Sequence, residues 1–165
     1  RGYKRMENGL KVGIGEYKSS RAPQSLVTIA LGSCVGIALY ESQSRVGGLS
    51  HIMLPDSTAF HGEKKPGKFA DLAIPSLIDE MRLLGAKGEL TAKIAGGASM
   101  FQGKKMSPHL QIGRRNVEAV KKILEELNIP ILGEHTGDHV GRSMKFDLEK
   151  QTIQVRTANR EYIDL

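Results

Sequence analysis

Cys34 and His51, seventeen residues apart, are the side chains of this sequence best suited to covalent chemistry. A thiolate is the reactive form of cysteine, and a neighbouring imidazole lowers the thiol's pKa and carries its proton. Together they suit acyl transfer: attack on a carbonyl, then protonation of a leaving amine by the imidazolium. Hairpin arithmetic brings the pair together. If Cys34–Glu41 and Ser44–His51 are antiparallel strands around a turn centred on Ser42-Gln43, opposed residues have numbers that sum to 85, as 34 and 51 do. Such opposed residues have Cβ atoms about 4.5–5.5 Å apart. A bulge at Gly47-Gly48 would shift the register by one and turn His51 to the other face. Gly32 and Ser33 precede the cysteine, and their backbone N–H groups are candidates for holding a developing oxyanion. The plainer reading of the same residues is structural, with Cys34 a small core hydrophobe and His51 a hydrogen-bonded strand histidine.

Other polar residues offer less. His135 and His139 have the four-residue spacing that binds zinc on a helix, but Thr136-Gly137-Asp138 between them does not read as helix. His61 and His109 lie in polar stretches and read as solvated. Gly96-Gly97 either admits a close backbone approach to a substrate or satisfies a turn. No Gly-rich stretch has the Lys-Ser/Thr ending of a phosphate-binding loop. Lys104-Lys105 and Arg114-Arg115 form a basic cluster that is either a solvated face or a steering patch.

The elements that must position these residues are mostly strands. Val12 to Glu16 alternates like a short strand, and Ser25 to Leu31 and Cys34 to Glu41 are apolar runs separated by Gly32-Ser33. Val46 to Leu54 reads as a further strand, stopped by Pro55. The polar stretch Asp56 to Lys68 reads as a mobile loop. Helical spacing of Leu77, Ile78, Met81 and Leu84 predicts a helix over 69–84, capped by Gly85, with Pro75 near its first turn or at a kink. Leu90 to Ala95 is a strand candidate. Val117, Val120, Ile123, Leu124 and Leu127 mark a second amphipathic helix over 114–127, ended by Asn128 and Pro130. Ile131–His135, Ser143–Leu148 and Thr152–Arg156 close the chain as strands, the last two a hairpin. The pattern predicts an α/β layered domain, a mixed β-sheet with two main amphipathic helices, rather than a pure doubly wound sheet.

Composition sets the outer bounds. The 165 residues form one ordinary domain by length, 39% hydrophobic and 25% charged, as in soluble globular proteins. No apolar run approaches the roughly 18–20 residues that span a membrane, so direct membrane insertion is not expected. No signal peptide is read in residues 1–20. A lone cysteine excludes an intramolecular disulfide framework and a Cys-rich zinc site, which fits a reducing cytoplasm. The net charge of +6 favours acidic partners, nucleic acid or protein. Trp is absent and aromatics reach only 5%, so a stacking platform for single strands is poorly supplied.

Taken together, several segments resemble one known family. They are Leu31-Gly32-Ser33-Cys34-Val35-Gly36 and Gly48-Leu49-Ser50-His51-Ile52-Met53-Leu54-Pro55, then Ala73-Ile74-Pro75 and Gly96-Gly97-Ala98-Ser99-Met100-Phe101, then Ile112-Gly113-Arg114-Arg115-Asn116 and Gly141-Arg142-Ser143. They resemble the chemotaxis receptor glutamine deamidases, the CheD family, over about residues 11–157 of a single deamidase domain spanning 1–165. The resemblance implies a cytoplasmic deamidase that converts chemoreceptor glutamines to glutamates, with Cys34 as nucleophile, His51 as its base and Thr28 as a third functional residue. Thr28 shares the parity of Cys34, so an extended chain would face both to one side, and the role implied for it is orienting His51. The implied fold is akin to the catalytic domain of cytotoxic necrotizing factor toxins. The implied partners are the chemoreceptor and an inhibitory CheC-type chemotaxis phosphatase. Neither metal nor organic cofactor is required, and no nucleic acid is expected. A phosphatase helix laid over the site would use Phe101–Pro108 and Asp56–Lys68 as rim, with Met100 and Phe101 as apolar anchors or as core residues. Competing readings are a non-catalytic module that docks phosphatase or receptor, and a basic nucleic-acid-binding domain with steep salt dependence.

Overall fold

Alternating side chains along the central strands give the protein two separate apolar cores. β4 (Val35–Glu41) shows this most clearly. One face carries Val35, Ile37 and Leu39 into a core completed by Ile74, Leu77, Val120 and Leu124 from the helices. The other face packs Ala38 and Tyr40 against Leu26, Met144, Phe146 and Val155 of a second sheet. The computed structural model, which describes residues 8–99 and 111–165, is therefore a β/β/α stack. Among the described residues no helix is long and apolar enough to cross a membrane.

The middle sheet runs in the order β2 (Tyr17–Arg21), β5 (Val46–Ile52), β4, β6 (Thr91–Gly96), β7 (Ile131–Thr136). The outer sheet runs β1 (Leu10–Lys11), β3 (Ser25–Leu31), β8 (Arg142–Asp147), β9 (Thr152–Thr157), β10 (Tyr162–Asp164). Neighbours are antiparallel except β1 with β3 and β6 with β7. The parallel β6–β7 pair needs a crossover, and α2 (Ile112–Glu126) supplies it. α1 (Ala70–Leu83) covers β2 and β5. Both helices end in Schellman caps: Ala86 and Gly85 N–H donate to Met81 and Arg82 carbonyls, and Ile129 and Asn128 N–H donate to Leu124 and Glu125 carbonyls.

Several expectations need correction. Val12 to Glu16 is a turn rather than a strand, because the Glu16 N–H donates to the Gly13 carbonyl and the Glu16 carboxylate accepts the Gly13 N–H. The strands there are β1 and β2 on either side. Pro75 lies inside α1 on its exposed side, where water can serve the Asp71 carbonyl that loses its helical donor. Asp56 to Lys68 holds two short 3-10 turns, and its end is tied down by Met53 and Leu54 N–H groups on the Lys68 carbonyl. α2 begins at Ile112, two residues early. Residues 100–110, including the expected rim segment Phe101–Pro108 with Lys104 and Lys105, the expected anchor Met100, and His109, lie outside the described residues.

The hairpin register also differs. Gly36, not Cys34, opposes His51, and paired numbers sum to 87. Glu41 is the cause. Its buried carboxylate accepts the N–H groups of Gln43, Ser44, Lys87 and Gly88, which winds residues 42–45 into a turn and delays β5 to Val46. A slip of two conserves the face where a slip of one would reverse it. Cys34 therefore still packs with the inter-sheet core.

Between β3 and β4 the chain changes sheets. Thr28 pairs with Met144 but Leu31 with Arg142, and the extra residue is absorbed near Ala30, which sits at φ 60°. β6 ends at the same corner, where Gly97 (φ +66°) packs directly on α2. A Cβ on Gly97 would stand 2.2 Å from Val117 Cγ2 and 2.9 Å from the Gly113 carbonyl oxygen. Gly85 also has positive φ but open space around it. Gly97→Ala should therefore destabilise by about 2–4 kcal/mol, combining left-handed strain with overpacking. Gly85→Ala should pay only the strain, about 1–2 kcal/mol. Urea unfolding of both variants checks this, and equal losses would contradict the close approach.

Candidate active site

Thr28 and His51 meet across the two sheets. Thr28 lies on the inward face of β3, and its Oγ1 is 2.7 Å from the Val12 carbonyl oxygen and 2.7 Å from His51 Nδ1. A hydroxyl has one proton, and a carbonyl can only accept. The proton therefore goes to Val12, and His51 Nδ1 must carry the hydrogen that it gives to Thr28. This fixes the neutral tautomer and leaves the lone pair on Nε2. That nitrogen is buried and makes no hydrogen bond to any described residue.

The backbone of His51 is held as firmly as its ring. Its N–H donates to the Glu16 carbonyl at 3.0 Å, and its carbonyl accepts the Gly15 N–H at 2.8 Å. The turn that replaced the expected strand is thus the clamp on His51. Val12, the acceptor for Thr28, begins that turn.

Cys34 is half-buried in the bend leading into β4. Its carbonyl accepts the Gly97 N–H at 2.8 Å, and the Gly32 carbonyl accepts the Ala98 N–H at 2.8 Å. Gly96 permits this approach, since a Cβ there would lie 2.3 Å from the Cys34 carbonyl oxygen. The Gly96-Gly97 pair thus admits the thiol-bearing loop. From α2, Asn116 Nδ2 donates to the Ser33 carbonyl at 3.0 Å and to the Met53 carbonyl at 2.9 Å. A cavity of about 490 Å³ opens beside Ser33, lined by Ala98, Ser99, Gly113 and Val117 among others.

The electrostatics differ from a preformed ion pair. Burial pushes the Cys34 thiol pKa up and the His51 imidazole down to about 4. Both shifts disfavour charge, because a low-dielectric corner penalises thiolate and imidazolium alike. The resting thiol and imidazole are both neutral, no hydrogen bond joins them, and the thiol–imidazole contact and lowered thiol pKa expected from the sequence are not found. Gly32 is also withdrawn as an oxyanion donor, since its N–H is spent on the Ala30 carbonyl at 3.1 Å.

Thr28, Cys34 and His51 all face the inter-sheet space, but not by the expected route. Thr28 and Cys34 belong to different sheets, and the chain between them is bulged and bent rather than extended. His135 and His139 form no zinc pair: they sit on β7 and in the following turn, bonded through Nδ1 to Arg142 Nε and to the Ser99 carbonyl. No cluster of three or more metal-capable side chains exists among the described residues. Sequence reasoning gave no role to Asn116 or Arg142. Arg142 is buried and donates to the Gly96 and Gly137 carbonyls, bracing the end of β6. A polar residue four positions before Val120, on the apolar stripe of α2, was the available signal for Asn116.

Comparison with known proteins identifies the family. The family described as CheD chemotactic sensory transduction matches residues 53–157, beyond all three site positions. A relative from Clostridium kluyveri, named "Probable chemoreceptor glutamine deamidase CheD", is 53% identical over 149 residues, covering 90% of this chain and 92% of its own. Relatives of the same name from Moorella thermoacetica and Clostridium novyi are 52% and 50% identical over 153 and 149 residues, covering 92% and 90% of this chain and 92% of their own. Half-identity sustained over nine-tenths of both partners, together with the family match across the second half of the fold, places the chain in the CheD family.

Proposed function

We propose that this chain deamidates chemoreceptor glutamines, with Cys34 as nucleophile, His51 as proton carrier and Thr28 as the residue that holds His51. The observation that carries the reading is the unpartnered Nε2 of a fully buried histidine whose tautomer Thr28 dictates. A buried acceptor left unpaired lowers stability, and a docking module has no use for one. The Sγ–carbon bond forms as the thiol proton passes to Nε2 and the carbonyl π pair moves to oxygen. On collapse, the carbon–nitrogen bond breaks, His51 returns the proton to nitrogen and ammonia leaves. Water then adds to the thioester, giving a proton to Nε2. The Sγ–carbon bond breaks, the thiol regains its proton and glutamate is released.

Family kinship extends the reading. The whole span 1–165 acts as one cytoplasmic deamidase domain, in a fold akin to the catalytic domain of cytotoxic necrotizing factor toxins. A CheC-type phosphatase is its inhibitory partner, competing with the receptor for the rim. Exposed Phe60, its ring tilted 52° to that of buried Phe69 with centroids 5.5 Å apart, supports an apolar anchor in the Asp56–Lys68 part of that rim. Excess phosphatase should slow receptor deamidation and weaken receptor binding together; simultaneous binding at full rate would remove it as a competitor.

Site variants separate the roles. Cys34→Ser should keep fold and receptor binding while losing at least about 10³-fold in turnover, because the hydroxyl pKa is far higher. Mass spectrometry of the receptor reads this as loss of the gain of about one dalton per glutamine. Thr28→Val should lower kcat about 10- to 100-fold by freeing the His51 tautomer, and Thr28→Ser should recover most of it.

Acid should act on the same histidine. A pKa of about 4 for folded His51, below its ordinary value of 6.5, means that the unfolded chain binds the extra proton between the two. The stability contributed by neutral His51 is complete above pH 6.5 and falls as pH drops towards 4, by at most about 3 kcal/mol. Denaturant melts from pH 7.5 to 4 should show this slope, and His51→Asn should reduce it. His135, whose pKa burial and Arg142 also lower, leaves a residual slope. The acid limb of kcat/KM should likewise lie near pH 4 rather than 6.5.

A further inference from the structure

Asn116 uses one nitrogen for two hydrogen bonds and leaves its oxygen with none. The residue is fully buried, and Oδ1 has no partner among the described residues. Two carbonyl acceptors, those of Ser33 and Met53, decide which end of the amide is nitrogen. A buried acceptor without a partner lowers stability, so the fold alone does not account for asparagine here.

The effect of the Ser33 bond follows from peptide geometry. In a trans peptide unit the carbonyl and the N–H point in opposite directions. Asn116 draws the Ser33 carbonyl towards α2, so the Cys34 N–H, at the other end of that unit, points away from α2. The preceding unit is held in the same way, with the Gly32 carbonyl on the Ala98 N–H and the Ser33 N–H directed away from it. Neither the Ser33 nor the Cys34 N–H makes a hydrogen bond to a described residue, and both residues are only half-buried. Two successive free N–H groups beside a thiol form a concavity suited to an anion. The second bond ties the same nitrogen to the chain leaving β5, two residues beyond His51.

We propose that Asn116 is a positioning residue that, through the Ser33 carbonyl, aims the Cys34 N–H at the oxyanion formed when Cys34 is acylated. The proposal rests on the reading of Cys34 as nucleophile. It predicts that Asn116 matters for reactions that pass through an oxyanion and not for those that do not.

Two reagents test this at the chain's single thiol. p-Nitrophenyl acetate acylates Cys34 through a tetrahedral oxyanion: the Sγ–carbon bond forms, the thiol proton passes to His51 and p-nitrophenolate leaves. Iodoacetamide alkylates it by displacing iodide, with no oxyanion. Asn116→Ala and Asn116→Asp should lower the acylation rate about 10²-fold, while alkylation stays within about 3-fold of the parent. In the Asn116→Asp variant the acylation deficit should shrink at low pH, where a protonated carboxyl regains one donor. A third measurement needs no variant. Acetaldehyde, adding to the thiol of the unaltered protein as a hemithioacetal, should move the Ser33 and Cys34 amide proton resonances downfield. Equal losses in acylation and alkylation, undiminished acylation, or unmoved amide resonances would overturn the proposal. Receptor deamidation is measured alongside. A protein that shows the acylation pattern but leaves receptor glutamines intact keeps the role of Asn116 and overturns the assigned substrate.

Discussion

The Thr28 hydroxyl has one proton to give, and it gives it to Val12. Everything particular to the site depends on that. The imidazole must supply the hydrogen for the second contact, so its outer nitrogen is left basic, buried and unpaired. The carbonyl that receives the proton belongs to the turn that also grips the backbone of His51. One short segment, Val12 to Glu16, thus governs both the ring's tautomer and its place. Because Thr28 and His51 belong to different sheets, their contact also fixes how one sheet lies on the other.

The site occupies a corner rather than a strand centre for a related reason. A nucleophile needs access, whereas a base of fixed tautomer needs burial. β3 changes sheets after the bulge at Ala30, so Cys34 comes up half-exposed at the head of β4 while His51 stays inside. The same burial holds both groups neutral at rest. In the proposed mechanism, charge separation is deferred until a substrate carbonyl receives the electrons, at the point where the bend offers N–H groups.

Much of this was legible in the sequence. The lone thiol and His51 pointed to the candidate site, apolar periodicity located both helices to within two residues, and Gly85 and Asn128 marked their ends. Face assignment survived an error in register, because the slip was by two. The missed features were tertiary. Glu41 gathers N–H groups from two loops, one of them more than forty residues away, and no local pattern shows that this lengthens the hairpin turn. β2 and β10 are short, half-exposed strands whose identity comes from their neighbours. The five residues 12–16 alternate as a strand would, yet Glu16 closes them into a turn through its own side chain. Asn116 looked like one more polar position until its two carbonyl partners were in view.

The crossover helix also sets a timetable. The amide that steadies the Ser33 carbonyl lies 83 residues further along the chain. The Gly97 and Ala98 amides that hold the Cys34 and Gly32 carbonyls are also distant in sequence. Contacts of such long range close late in folding, after local hairpins such as β4–β5 have formed. On the ribosome, where domains form as the chain emerges, Cys34 is made early and its bend stays unbraced until α2 has left the tunnel and docked. A truncated product would carry Cys34 and His51 without the amide that bridges the Ser33 and Met53 carbonyls beside them, so its bend would be left unbraced by its own unfinished fold.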